Sequence, residues 1–242
     1  MTAPATMLAI SLFDDFEVVC AAGEVDLAGS AQRVVAYLAT SPGPVSRCRI
    51  VRDLWSDLAL PTGLARLRDA VYRIRAATPE LVSATGHRLA ISAGVQIDVA
   101  RMIANAEGVV DRSRAAADIS VADLAPRDIL PTWDEPWLEG TRQALTLTCA
   151  RALEYLAHDR IDASLFHDAE QACRLVIRAE PYRESAYLLL AQVFIAEGNP
   201  ALALCAVQDY ERRLLRDLGC APGRAVAYVE RSIREATASP VG

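Results

Sequence analysis

The sequence predicts a mainly α protein in two parts. Residues 1–97 read as an α+β part with small antiparallel sheets, and residues 98–242 as an all-α part. Three observations predict this. Short β-prone runs stand at both ends of the first part, with three amphipathic helical segments between them. The third of those segments, LARLRDAVYRIRAAT at 64–78, gathers its apolar residues into one stripe. Beyond residue 98 the helical periodicity continues, with an echo at a spacing of 34 residues.

The elements follow in order. From Met7 to Val19 the chain reads as two strands, LAISL and FEVV, joined at Asp14-Asp15; Val25 and Leu27 add a third after Gly23. Ser30 is placed to cap a helix, AQRVVAYLAT, with Val34, Val35 and Leu38 on one face, and Ser41-Pro42-Gly43-Pro44 ends it. Ser46 caps a second helix, RCRIVRDLWSD, whose Ile50, Val51, Leu54 and Trp55 face inward. In the third helix Leu64, Leu67, Val71 and Ile74 fall within about 80° of one another. Thr62, after Pro61, is positioned as its N-cap. Its 15 residues span roughly 22 Å, long enough to lie along a major groove. After Pro79, LVSATGHRLAIS folds back as a hairpin around Thr85-Gly86, and Val95 and Ile97 add a last extended piece. Small sheet, three helices and hairpin, in that order, make a winged helix. The second and third helices form the helix-turn-helix, the third enters the major groove, and the hairpin is the wing that touches the neighbouring backbone.

The candidate DNA-contacting residues follow from helix geometry. Arg66, Asp69, Tyr72 and Arg73 turn away from the apolar stripe. Arg66 and Arg73 are candidates for base-edge or phosphate contacts, since a bidentate Arg–guanine pair contributes about 1–3 kcal/mol of discrimination. Asp69 either accepts from a cytosine amino group or repels phosphate. Arg68 and Arg75, on the flanks, either hold phosphate or pair with acids of the same part. Arg88 on the wing either reaches a flanking phosphate or minor groove or is a solvated charge. Arg47 and Arg49 open the second helix, where its free amides and their guanidiniums are suited to a phosphate.

Charge supports this placement. All 25 basic residues are arginine, against 31 acids, for a net charge of −6, which argues against a protein that coats nucleic acid indiscriminately. Between residues 47 and 88, however, eight arginines face four acids, whereas from residue 99 onward 16 face 21. A locally positive segment on an acidic chain steers toward phosphates.

In the second part, IDVARMIANAEGVV starts a helix, and a proline-bearing connection ends in LPTWDEPWLEG. Helices follow near 138–158, 162–179, 183–197, 199–217 and 222–236, broken at Glu180-Pro181, Gly198-Asn199-Pro200 and Ala221-Pro222-Gly223. Leu156, Ala157 and Ala169 recur as Leu190, Ala191 and Ala203, the period and small crossing residues of the tetratricopeptide pattern, a scaffold for interaction. Trp133 and Trp137 are expected to pack the first helix of this stack. The six scattered cysteines read as small buried residues, with no metal-ligand spacing. No GxSxG, HExxH, GxGxxG or GxxxxGK[ST] run occurs, so neither an enzyme nor a bound cofactor or metal is expected. The start lacks the marks of a signal peptide. The longest apolar run, 186–196, is interrupted by Gln192 and too short to span a bilayer, so a cytoplasmic location is expected.

Two sets of residues carry a family resemblance. AQRVVAYLA, PVSRCRIVRDLW, LARLRDAVYRIR and HRLAISAGVQIDVARM resemble the OmpR-type winged-helix domain of the actinobacterial antibiotic-regulatory-protein (SARP) activators. LPTWDEPWLEGTRQ, AEPYRESAYLLLAQVFIAEGNPALAL and QDYERRLLRDLGCAPG resemble their bacterial transcriptional activator domain (BTAD). Together they span nearly the whole chain in the family's order. The resemblance implies a transcriptional activator that binds double-stranded promoter DNA at direct repeats, as a homodimer in tandem, and recruits RNA polymerase. Asp69 on the groove-facing side and Ala76-Ala77-Thr78 at the helix end depart from the more basic pattern of such proteins. A competing reading is a TPR-like protein-interaction regulator with weak or no DNA binding; a third is an effector sensor, though no residue cluster names a ligand.

Overall fold

The computed structural model describes residues 8–114 and 118–238; Met7 lies outside them. Packing divides the chain into two compact units. One comprises the residues up to 103 together with 127–144; the other comprises 104–126 together with 145 onward.

In the first unit, β1 (Ala9–Ser11), β2 (Glu17–Cys20) and β3 (Gly23–Glu24) form an antiparallel meander. The third strand falls two residues earlier than Val25–Leu27. Val25 still donates to the Val18 carbonyl, but Leu27 turns into the core instead of continuing the ladder. Next come α1 (Gly29–Ala39), β4 (Val45–Ser46), α2 (Arg47–Leu54) and α3 (Leu60–Ala77). The hairpin β5 (Val82–Thr85) and β6 (Arg88–Ile91) turns on Gly86, which takes a φ of 59°. β4 pairs with β6, making the wing three-stranded, and β7 (Gln96–Ile97) adds to the first sheet parallel to β1. Ile10, Val34, Val35, Ile50, Leu67, Ile74, Leu81 and Leu89 are sealed in the core of this unit.

Two helix starts differ from the sequence reading. Ala28 occupies the N-cap position of α1 and Ser30 lies inside its first turn. α3 begins at Leu60 and not after Thr62, because Pro61, with its φ fixed near the helical value, fits the first turn and needs no N–H there. Ser46 caps α2 as expected, accepting from the Arg49 amide at 3.3 Å.

The segment 127–144 packs on the winged-helix core, so a single cut after residue 97 does not describe the packing. Leu130 donates its amide to the Leu12 carbonyl at 2.9 Å, and Phe13 bridges to Ile129. Arg127 pairs with Asp14 and lies over the Phe13 ring. Trp133 stacks on Phe16 and Trp137 meets Tyr37 edge-on, so neither tryptophan packs the helical stack that the sequence suggested. Glu135 pairs with Arg33 at 2.6 Å and accepts from the Trp137 indole N–H. The Arg142 guanidinium donates to the carbonyls of Ile129, Leu130 and Trp133, fastening a turn in which Leu130 adopts a positive φ of 47°. Asp98 fastens the other side: one carboxylate oxygen accepts from the amides of Leu12 and Phe13, the other from Val99 at the start of α4 (Asp98–Val110).

The second unit holds the end of α4, a 3-10 turn at Val121–Leu124, most of α5 (Pro136–Asp162), α6 (Phe166–Ala179), α7 (Glu184–Ala196), α8 (Pro200–Leu218) and α9 (Arg224–Ala238). All six residues of the 34-residue echo are buried in the core of this unit, and α6, α7 and α8 pack in succession. Gly219, at a φ of 65°, closes α8 in the left-handed conformation. Arg183 sits at the N-cap position of α7 and donates bidentately to Glu154 at 2.7 and 2.8 Å, tying α5 to α7. Cys149 and Cys173 are buried, but Cys48, Cys205 and Cys220 are exposed, contrary to the uniform burial expected. Cys48 and Cys205 lie on helix positions that face solvent and Cys220 lies in the link between α8 and α9, where a small residue is not drawn inward by its neighbours. Among the described residues no helix is long and apolar enough to cross a membrane.

Candidate nucleic-acid interface

The helix-turn-helix begins with a close approach. Gly63 lies in the first turn of α3 against Val51 of α2, and a Cβ built at Gly63 would stand 2.2 Å from the Val51 Cγ1. Only glycine lets the two helices cross there. Sequence reasoning missed this residue; its signal is a buried-face glycine opposite Val51 at the foot of an otherwise alanine-, leucine- and arginine-rich helix. Beyond it, Leu67, Ala70, Val71 and Ile74 are buried and Leu64 is half-buried. That inward stripe fixes the outward one.

Every α3 residue singled out from the sequence faces solvent: Arg66, Arg68, Asp69, Tyr72, Arg73 and Arg75. Tyr72 is 73% exposed, the most exposed of the large hydrophobic side chains. No packing within the unit accounts for it. Asp69 pairs with Arg73 at 3.0 Å one turn away. Both partners are about half exposed, so the pair contributes only about 0.3–0.5 kcal/mol and is readily exchanged. Arg66 lies over the Trp55 ring, 5.6 Å from its centroid, an anchor of about 0.5–1 kcal/mol that holds the guanidinium near the start of the helix. Arg33 shares that ring from α1. Arg68 and Arg75 make no ion pair among the described residues.

A second group forms around the α2 N-terminus. Ser46, Arg49 and Arg88 line one cavity of about 500 Å³ with the 41–45 turn, because β4 and β6 pair in a register that sets Ser46 opposite Arg88. Arg88 has no ion-pair partner among the described residues. Arg49 lies 3.5 Å from Asp53. Burial, and then Asp53, push the Tyr37 hydroxyl up to about 12. The hydrogen bond that Arg49 donates to the Tyr37 oxygen comes first, then Asp53, among the interactions that raise the pKa of Arg49 and keep it cationic. Arg47 is half-buried, its amide donating to the His87 carbonyl on the wing turn. The structure thus brings Arg49 and Arg88 together, sets Arg66, Arg68, Arg73 and Arg75 along one exposed helix, and leaves Asp69 as the only acid among those α3 residues.

Comparison with known proteins bears on the family and the fold. The family model of the bacterial transcriptional activator domain matches residues 97–234. No curated protein matches the sequence significantly. Among solved structures, the chain is similar in fold to Mycobacterium tuberculosis EmbR, solved in complex with a low affinity phosphopeptide. The TM-score is 0.76 at 19% identity, over 98% of this chain and 67% of that one. The match extends through the winged-helix part, which the family model does not reach. Because that family model spans more than half of the chain, the chain belongs to the bacterial transcriptional activator domain family and is a transcriptional regulator of the SARP type, not an enzyme.

Proposed function

We propose that this regulator is a sequence-specific activator that reads promoter direct repeats in double-stranded DNA with α3, binding as a homodimer in the cytoplasm, its helical domain serving dimerisation and RNA polymerase recruitment. The observation that carries the reading is the solvent-facing α3 surface, where an unpacked Tyr72 stands among four arginines and a single acid. An exposed aromatic has no stabilising role there, whereas a groove would cover it. In this reading Arg73 exchanges its weak bond to Asp69 for a base edge. Asp69 is then free to accept from a cytosine amino group. Arg66, Arg68 and Arg75 hold phosphates along the groove, while the Arg49 and Arg47 side chains hold another beside Arg88 of the wing.

The test is a gel shift with the upstream region of the protein's own gene, titrated with salt. A specific complex is expected, with log K falling linearly against log salt. Failure to distinguish this duplex from a mixed-sequence competitor at every salt concentration favours the interaction-regulator reading instead.

A further inference from the structure

The second unit carries a basic groove that its composition does not explain. A cavity of about 890 Å³ opens between α6, α7 and α8. Five arginines line it: Arg174 and Arg178 from α6, and Arg212, Arg213 and Arg216 from α8. The single acid in the lining is Asp209. Yet from residue 99 onward acids outnumber arginines by 21 to 16, so chance placement would make this wall acidic. Helical spacing produces the concentration. Arg174 and Arg178 stand one turn apart, and Arg212, Arg213 and Arg216 fall on one face of α8. The floor is apolar: Ile177, Tyr187, Leu190 and Ala206.

The arginines are not consumed by internal pairing. Arg174 bonds Glu170, Arg212 bonds Asp209, and Arg216 bonds its neighbour Asp217, all as surface pairs. Such pairs contribute little and give way to a better acceptor. Arg178 and Arg213 have no ion pair among the described residues. Arg213 lines the cavity together with Tyr187; burial raises the pKa of Tyr187, and the Arg213 charge opposes that rise.

We propose that this groove docks an acidic peptide segment of a partner protein, its carboxylates held by Arg178, Arg213 and the flanking arginines and an apolar side chain resting on Ile177. Charge complementarity sets the sign of the partner. The half-buried Ile177 on the floor sets its class, because a duplex offers phosphates on a convex rod with nothing to cover it, while a peptide offers both groups at once. The inference does not rest on DNA reading by α3, which lies on other residues.

The test measures fluorescence polarisation of a short fluorescein-labelled peptide in which Asp and Glu alternate with Leu, against the full chain. A matched peptide with Asn and Gln in place of the acids is the control. Saturable binding of the acidic peptide alone is expected. It should weaken by about tenfold or more in the Arg178→Glu, Arg213→Glu double variant, with the DNA gel shift unchanged. The Arg178→Gln, Arg213→Gln variant repeats the measurement should the charge reversal not fold. Equal binding of both peptides, wild-type affinity in folded variants, or displacement of the peptide by a mixed-sequence duplex would each overturn the proposal.

Discussion

At the scale of single residues, the helix-turn-helix depends on an absent side chain. With a Cβ at Gly63 only 2.2 Å from Val51, Gly63→Ala should push α2 and α3 apart. Overpacking of this kind costs typically about 1–3 kcal/mol, visible as a lower urea midpoint with an unchanged slope. The cysteines divide just as sharply. Burial pushes the thiols of Cys149 and Cys173 up to about 11 and about 12, so neither forms thiolate at neutral pH. Ellman's reagent should modify Cys48, Cys205 and Cys220 quickly in the native protein and reach Cys149 and Cys173 only after denaturation. Tyr37 gives a pH dependence. Its folded-state value, near 12, lies above its unfolded value near 10. Its contribution to stability is therefore complete below pH 10 and lost as pH rises toward 12. Tyr37→Phe should flatten the alkaline limb of a pH–stability curve.

At the scale of elements, the segment 127–144 is the part of the fold that local pattern does not reveal. Its Trp133, Glu135 and Trp137 meet Phe16, Arg33 and Tyr37, partners a hundred or so residues away. Periodicity cannot indicate such pairings. A chain ending at residue 97 keeps every helix of the helix-turn-helix but loses both these contacts and the Asp98 carboxylate that holds Leu12 and Phe13. It should melt well below the full chain's N-terminal unit and bind ANS at the uncovered α1 face. Stability equal to that of the full chain would mean the segment is incidental. By contrast, α2, α3 and the β5–β6 hairpin were legible because each is local: Ser46 for the cap, Leu67, Val71 and Ile74 for the buried stripe, Gly86 for the turn. The two-residue strand β4 is not, since its only signature is a register with distant residues; β7 is legible as an extended piece, but its pairing with β1 is not. The cap of α1 was misplaced because Ser30 suits a first turn as well as a cap, and the backbone conformation at Ala28 decided between them. Of the interface, the outward residues of α3 followed from its inward ones. The cavity that Arg49 and Arg88 share did not, because it is made by β4 pairing with β6.

At the scale of the molecule, an acidic chain must concentrate its positive charge to meet a duplex, and the first unit does so along α3 and the wing. Each phosphate neutralised adds about −0.9 to the slope of log K against log salt. Arg88→Ala should therefore flatten that slope by about 1 while leaving base preference intact. The most direct measurement compares wild type and Arg73→Ala on two duplexes, the specific site and the same site scrambled in sequence, at one salt concentration. If α3 reads bases through Arg73, the substitution weakens the specific complex by about tenfold or more and the scrambled complex far less. Equal weakening of both, or of neither, would show that this face of the helix does not read sequence.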